Sequence, residues 1–249
     1  LEFEHADIFA DLAAIETQFH HLVRTLPSNG LIIANATGNS LKRVLERGCW
    51  TPQEWFNDDA GWRAGEASAE GGFAVSLAGK EIGRTTLALP GAHNRANALA
   101  AIAAARHAGV SPQIALQSVE RFQGVKRRLE VRGTVRGVTV YDDFAHHPTA
   151  IAATIEGLRG RVDKARIIAV LEPRSNTMKL GSMKAQLPIS LADADAVFCY
   201  TNKLGWDAAD ALAPLGDKAQ VFEDIDKLVK SIAVNARASA VFMKSCYTR

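Results

Sequence analysis

The densest chemistry in the chain lies in Val140-Tyr141-Asp142-Asp143-Phe144-Ala145-His146-His147-Pro148-Thr149. An apolar run ends there in two carboxylates, two imidazoles follow, and Pro148 suits the first turn of the next helix. Ligands of open α/β sheets bind outside the carboxyl ends of strands. A carboxylate at such a place can accept both hydroxyls of a ribose or hold a metal-bound water. A histidine beside a helix N-terminus can orient an anionic group. One aspartate alone would more simply cap a helix, but this many titratable groups at one strand end favour a functional reading.

A second constellation is Leu171-Glu172-Pro173-Arg174-Ser175-Asn176-Thr177-Met178-Lys179. Arg174 offers a planar fork for carboxylate or phosphate, and Ser175 and Asn176 add hydrogen-bonding groups. Glu172 and Arg174 could instead pair with each other at the surface. In Gly91-Ala92-His93-Asn94-Arg95-Ala96-Asn97, the carboxamides of Asn94 and Asn97 fall three apart, on one face of a helix start. They can meet the edge of a purine; ordinary capping by Asn94 is the alternative. Lys126-Arg127-Arg128 lacks interleaved aromatics, so it reads as a solvated boundary or a single phosphate contact rather than a nucleic-acid surface. His5, beside Glu2 and Glu4, is a hard-cation neighbourhood of low specificity. The adjacent His20 and His21 face different directions on a helix and make a poor metal site. There is no Gly-x-x-x-x-Gly-Lys-Ser/Thr loop, Gly-x-Ser-x-Gly elbow or His-Glu-x-x-His helix.

These groups need a scaffold, and the hydrophobic pattern describes one. Steps of three and four from Phe9 to Leu26 predict a helix opened by Asp7 as N-cap. A strand over 31–34 and a helix over 41–47 follow, then an irregular aromatic stretch over 51–69. Residues 73–77 and 81–89 read as a hairpin, and an alanine-rich helix runs to about His107. Ser111-Pro112 opens another, to Phe122. After Val125 the pattern changes: a hairpin over 129–135 and 138–141 leads into regular alternation. Helices are expected from Pro148, over 180–191, 207–212 and 225–234. Strands are expected over 167–171, Ala196–Tyr200, Ala219–Phe222 and 240–243. Such alternation implies an α/β fold with a mainly parallel sheet, in two domains, residues 1–125 and 126–249.

Composition fits this. The 249 residues are 47% hydrophobic and 22% charged, which suits a folded core. Lys+Arg number 29 against 27 Asp+Glu, and a net charge of +2 argues against nucleic acid or an acidic membrane as partner. The three cysteines, widely spaced and odd in number, form no disulfide framework. No apolar run reaches the roughly 18–20 residues that span a bilayer. The chain starts on leucine, which reads as a start partway through a longer protein.

Taken in order, Leu1-Glu2-Phe3-Glu4-His5, Gly91 to Leu99, Arg128-Leu129-Glu130 and Asp142 to Pro148 resemble landmarks of the Mur ligases, the ATP-dependent amide-forming ligases of peptidoglycan synthesis. The resemblance covers nearly the whole chain. It implies a UDP-binding domain, a central ATPase and a Rossmann-like C-terminal domain. This chain would hold the end of the second, to Val125, and most of the third. Within the family, Glu172 to Gly181 looks like the branch that joins UDP-N-acetylmuramate to the murein tripeptide L-alanyl-γ-D-glutamyl-meso-diaminopimelate in cell-wall recycling. The branch that adds L-alanine is the alternative, as is a non-catalytic nucleotide- or peptide-binding module.

The resemblance implies ATP and Mg²⁺ as cofactors, a bacterial cytoplasmic setting and no membrane insertion, and leaves the oligomeric state open. His5 would be a magnesium ligand, Asn94 and Asn97 adenine contacts, Arg128 the catalytic arginine at the ATP phosphates, and Asp143 the ribose carboxylate. His146, Arg174, Ser175 and Asn176 would face the peptide. The family's phosphate loop and carbamylated lysine would lie upstream. Glu4 stands where Asp is usual, and residues 242–249 lack the family's Ser-Asn-Gly segment.

Overall fold

A computed structural model describes the chain except residues 69, 202, 237, 238 and 245–249; for 239–244 only the backbone is described. The departure expected over 242–249 therefore lies outside the described side chains. The chain forms two compact units, one of residues 1–4 and 8–123, the other of residues 5–7 and 124–249.

The first unit contains α1 (Leu12–Val23), β1 (Ile32–Asn35), α2 (Asn39–Glu46), β2 (Gln53–Phe56), β3 (Trp62–Ala64), β4 (Gly72–Leu77), β5 (Lys80–Thr86), α3 (Ala92–His107) and α4 (Pro112–Glu120). Its sheet runs β1-β2-β3-β4-β5, parallel as far as β3 and antiparallel beyond. Trp62, Phe73 and Val75 pack against Leu99, Ile102 and Ala103 of α3. Those helical residues repeat at the spacing of one face, and the alanine lets helix and sheet approach.

Two expectations fail in this unit. The cap of α1 is Asp11, which accepts the Ala14 amide at 2.8 Å, rather than Asp7. The stretch over 51–69 is not irregular throughout, since β2 and β3 lie in it. Strands of four and three residues are too short to show a period of two. Burial fixes them: Trp62 is wholly enclosed, and its indole N–H donates to Glu54 at 2.7 Å.

The second unit contains β6 (Glu130–Val135), β7 (Val138–Asp143), α5 (Pro148–Val162), β8 (Arg166–Leu171), α6 (Asn176–Lys179), α7 (Leu187–Ser190), β9 (Ala196–Tyr200), α8 (Ala208–Leu212), β10 (Ala219–Phe222), α9 (Ile225–Asn235) and β11 (Ser239–Lys244). Its sheet has the order β10-β9-β8-β11-β7-β6, parallel except for the β6–β7 hairpin. From β8 the chain steps outward through β9 and β10, then returns with β11 between β8 and β7. That reversal is a switch point, the place where ligands of open α/β sheets bind. β8 is buried from Ile167 to Leu171, as a central parallel strand should be.

The single helix expected over 180–191 is not formed: α6 ends before it at Lys179, and within it lie only a 3₁₀ turn over Lys184–Gln186 and α7. Gly181 is left-handed at φ +74°, and Pro188 lies in the first turn of α7. A proline deep in one long helix would clash with the preceding turn.

Candidate functional site

β7 delivers Asp142 and Asp143 to the carboxyl edge of the second sheet, and both are buried. The two are not equivalent. Asp143 Oδ2 accepts the Leu129 amide at 2.8 Å. Its Oδ1 accepts the Ala145 amide at 2.8 Å and the Thr154 hydroxyl at 3.4 Å. Burial pushes the Asp143 carboxyl above its ordinary value, and these hydrogen bonds with the nearby Arg128 charge only partly offset it. Asp142 faces Arg127 and Arg132 across 3.9 and 3.7 Å. Neither aspartate caps α5. His147 does, its Nδ1 accepting the Thr149 amide at 3.4 Å, with Pro148 in the first turn.

The segment before β6 is a tight turn. Arg127 and Leu129 are both left-handed, at φ 61° and 45°, a conformation costly for residues with side chains. The surroundings over-determine it. The Arg127 amide donates to Glu130 at 2.8 Å, and the Phe144 amide donates to the Arg127 carbonyl at 2.8 Å. Asp143 holds Leu129 from the other side. Arg128, between the two strained residues, stays exposed.

His146 is half-buried and edge-on to Phe144, ring centroids 5.1 Å apart. Its Nδ1 lies 3.1 Å from the Phe144 carbonyl oxygen. A carbonyl only accepts, so this contact assigns the ring proton to Nδ1 and leaves Nε2 of the neutral ring as an acceptor.

At the end of β8, Arg174 is exposed and makes no ion pair among the described residues. Ser175 caps α6 by accepting the Met178 amide at 3.4 Å. Asn176 Nδ2 donates to Asp7 at 2.8 Å, and the Ala6 amide donates to Thr177 at 3.3 Å, which explains why residues 5–7 group with this unit. Asp7 is held below the ordinary carboxylate range, chiefly by the Asn176 hydrogen bond. With β11 between them, β7 and β8 end on the same edge, two strand spacings or about 10 Å apart. The second unit thus gathers Arg128, Asp143 and His146 at one strand end and Arg174, Ser175 and Asn176 at another.

The remaining candidates are more isolated. Asn94 and Asn97 lie within the first turns of α3, whose cap is Gly91 at φ +100°. Asn94 Nδ2 donates to the Pro90 carbonyl at 2.7 Å, which leaves its Oδ1 available, and Asn97 is exposed. His5 is exposed and left-handed. Among the described residues no group of three His, Cys, Asp or Glu side chains could hold a metal ion. A magnesium ion that keeps its waters and phosphate oxygens needs few protein ligands, so a single contact from His5 is chemically compatible.

The sequence did not single out Thr154, which braces the buried carboxylate, and it gave Glu130, which braces the strained turn, only as part of a motif with no role of its own. A threonine inside the apolar pattern of α5 was the available signal.

A model of the Mur ligase middle domain matches residues 1–105, and one of the Mur ligase glutamate ligase domain matches residues 127–245. The UDP-N-acetylmuramate–L-alanyl-γ-D-glutamyl-meso-2,6-diaminoheptandioate ligase of Escherichia coli (strain K12) is 47% identical over 240 residues, 95% of this chain and 52% of that protein. The Haemophilus influenzae protein of the same name is 44% identical over 95% of this chain and 53% of its own length. A solved murein peptide ligase from Psychrobacter arcticus 273-4 aligns with a TM-score of 0.69 at 38% identity, covering 95% of this chain and 52% of that one. The chain spans about half the length of the curated relatives it matches.

Proposed function

The chain belongs to the Mur ligase family, and from that premise we propose that it is part of an ATP-dependent ligase joining UDP-N-acetylmuramate to L-alanyl-γ-D-glutamyl-meso-diaminopimelate. One observation carries the reading: 47% identity along 95% of the chain with a ligase whose name states those two substrates. Residues 1–125 would close a central ATPase domain, and residues 126–249 would form the C-terminal domain. The phosphate loop would be supplied by a part of the enzyme outside this chain.

In the proposed reaction a carboxylate of UDP-N-acetylmuramate attacks the γ-phosphorus of ATP, ADP leaves, and an acyl phosphate remains. The tripeptide amine then attacks the acyl carbon, and phosphate leaves from a tetrahedral intermediate. Asn94 and Asn97 would read the adenine edge, the first through its Oδ1. Arg128 would offset charge on the phosphates from its strained turn. Asp143 would reach a ribose only with the acceptor capacity its three hydrogen bonds leave over, and its main contribution would be to hold that turn. His146 Nε2 could take the proton the amine gives up. Arg174, Ser175 and Asn176 would meet the carboxylates and amides of the peptide. Mg²⁺ would offset phosphate charge, with His5 as the contact this chain offers.

A UDP-sugar and ATP as substrates place the proposed reaction in the bacterial cytoplasm. No helix of the described residues is long and apolar enough to cross a membrane. The test is ADP release by the full-length gene product given ATP, UDP-N-acetylmuramate and tripeptide. Release is expected, with L-alanine failing to replace the tripeptide; no release overturns the ligase reading.

A further inference from the structure

α6 has four residues, and it directly follows Arg174 and Ser175. A helix so short does not hold itself, because fixing its first turn costs more conformational entropy than its hydrogen bonds return. Ser175 satisfies one donor at its start. At its end the Met178 carbonyl is met twice. The Gly181 amide reaches it at 3.1 Å, and the indole Nε1 of Trp206 donates to it at 2.8 Å.

Trp206 comes from the loop between β9 and α8, and the next residue anchors it. Asp207 caps α8, accepting the Ala209 and Asp210 amides at 2.8 and 3.1 Å. The ring also fills the space beside Gly181. A Cβ at that left-handed position would stand 3.0 Å from Trp206 Cδ1. A Cβ at Gly205 would be 3.6 Å from the Lys179 carbonyl oxygen, so the two loops run in close contact. Thr177 and Met178, on the inner side of the turn, are buried. The outer side carries Arg174 and Asn176, both exposed.

We propose that Trp206 is a positioning residue for the peptide substrate: it fixes the Met178 carbonyl and the Gly181 turn, and through them the placement of Arg174, Ser175 and Asn176. This rests on the reading of residues 174–176 as peptide-facing. Trp206 acts through the turn rather than on the substrate.

The test uses the full-length gene product. Trp206→Phe keeps a ring and removes the donor. The KM for tripeptide is expected to rise about tenfold, the scale of one lost hydrogen bond, with kcat and the KM values for ATP and UDP-N-acetylmuramate within roughly twofold of wild type. A general loss of folded enzyme would instead lower kcat and leave the KM values alone. Gly181→Ala pushes a methyl against the same ring and should give the same split. The double variant should fall short of the product of the two effects, because both act at one contact. Wild-type tripeptide KM in Trp206→Phe overturns the proposal, as does a loss confined to kcat. Arg174→Ala separates the two claims. If it raises the tripeptide KM while Trp206→Phe does not, only the role of Trp206 is lost; if neither changes it, the peptide-facing reading falls too.

Discussion

The Leu129 amide donates to Asp143 Oδ2 at 2.8 Å, tying the turn before β6 to the buried end of β7. With the reverse bond from the Phe144 amide to the Arg127 carbonyl, it clamps two left-handed residues around Arg128. In the fold the Asp143 carboxylate anchors the turn that carries the exposed Arg128.

Asp143→Ala removes the acceptor for two backbone amides that are buried with it. Leaving such donors unsatisfied costs about 1–3 kcal/mol each, so the unfolding free energy should fall by at least about 2 kcal/mol. Urea titration of the chain followed by circular dichroism measures it. In the full-length enzyme the same substitution should weaken ATP binding, since the turn that presents Arg128 loosens. Unchanged nucleotide affinity would refute the role at the nucleotide.

The pH dependence of stability has a defined sign. Burial lifts the folded Asp143 carboxyl above its ordinary value of 3.8, so the folded state takes up a proton before the unfolded chain does. Its contribution to stability therefore grows as pH falls from the folded value towards 3.8, and is constant below that. Glu130 runs the other way: the Arg127 amide lowers its pKa, and its contribution is present above the ordinary carboxylate range and lost as pH falls through the folded value. Wild type should gain on Asp143→Asn as pH drops through the window above 3.8. A difference that does not vary with pH contradicts this.

Arg174→Ala should separate binding from folding. The side chain is exposed and makes no ion pair among the described residues, so stability should change by less than about 0.5 kcal/mol. The tripeptide KM should nevertheless rise by roughly tenfold or more, as expected for loss of a charge-assisted contact. Steady-state kinetics with each substrate varied in turn gives the answer.

Glu16 in α1 is buried and meets Arg43 Nε at 3.0 Å and Arg47 at 3.1 Å, both from α2 or its end. Both arginines are partly exposed, which reduces the charge left stranded if Glu16 is removed. Glu16→Ala should cost about 1–3 kcal/mol in the denaturation of the first unit. Asn97→Ala, exposed on α3, should leave stability alone and raise the KM for ATP.

Much of the fold was legible because its signals are local. β8 and β9 are continuous apolar runs, and Ser111-Pro112 and Pro148 mark helix starts by their own chemistry. What was missed depends on contacts between distant segments. Asp7 and Asp11 are equally good caps in sequence; Asp7 is taken by Asn176, 169 residues away. β3 exists because Trp62 is buried, which no three-residue pattern announces. The motif at the end of β7 stood out by its density of titratable groups. That Asp143 faces inward while Arg128 faces out follows only from the paired hydrogen bonds across the β6–β7 hairpin and its preceding turn.

The proposed reaction activates a sugar carboxylate as an acyl phosphate and passes it to the tripeptide. It is tested most directly with UDP-N-acetylmuramate carrying ¹⁸O in both oxygens of its lactyl carboxylate, incubated with full-length gene product, ATP and tripeptide. Mass spectrometry of the released phosphate should find one ¹⁸O atom per phosphate, together with the UDP-N-acetylmuramoyl-tripeptide. Product formed with phosphate free of ¹⁸O contradicts the acyl phosphate, and no tripeptide product contradicts the ligase assignment itself.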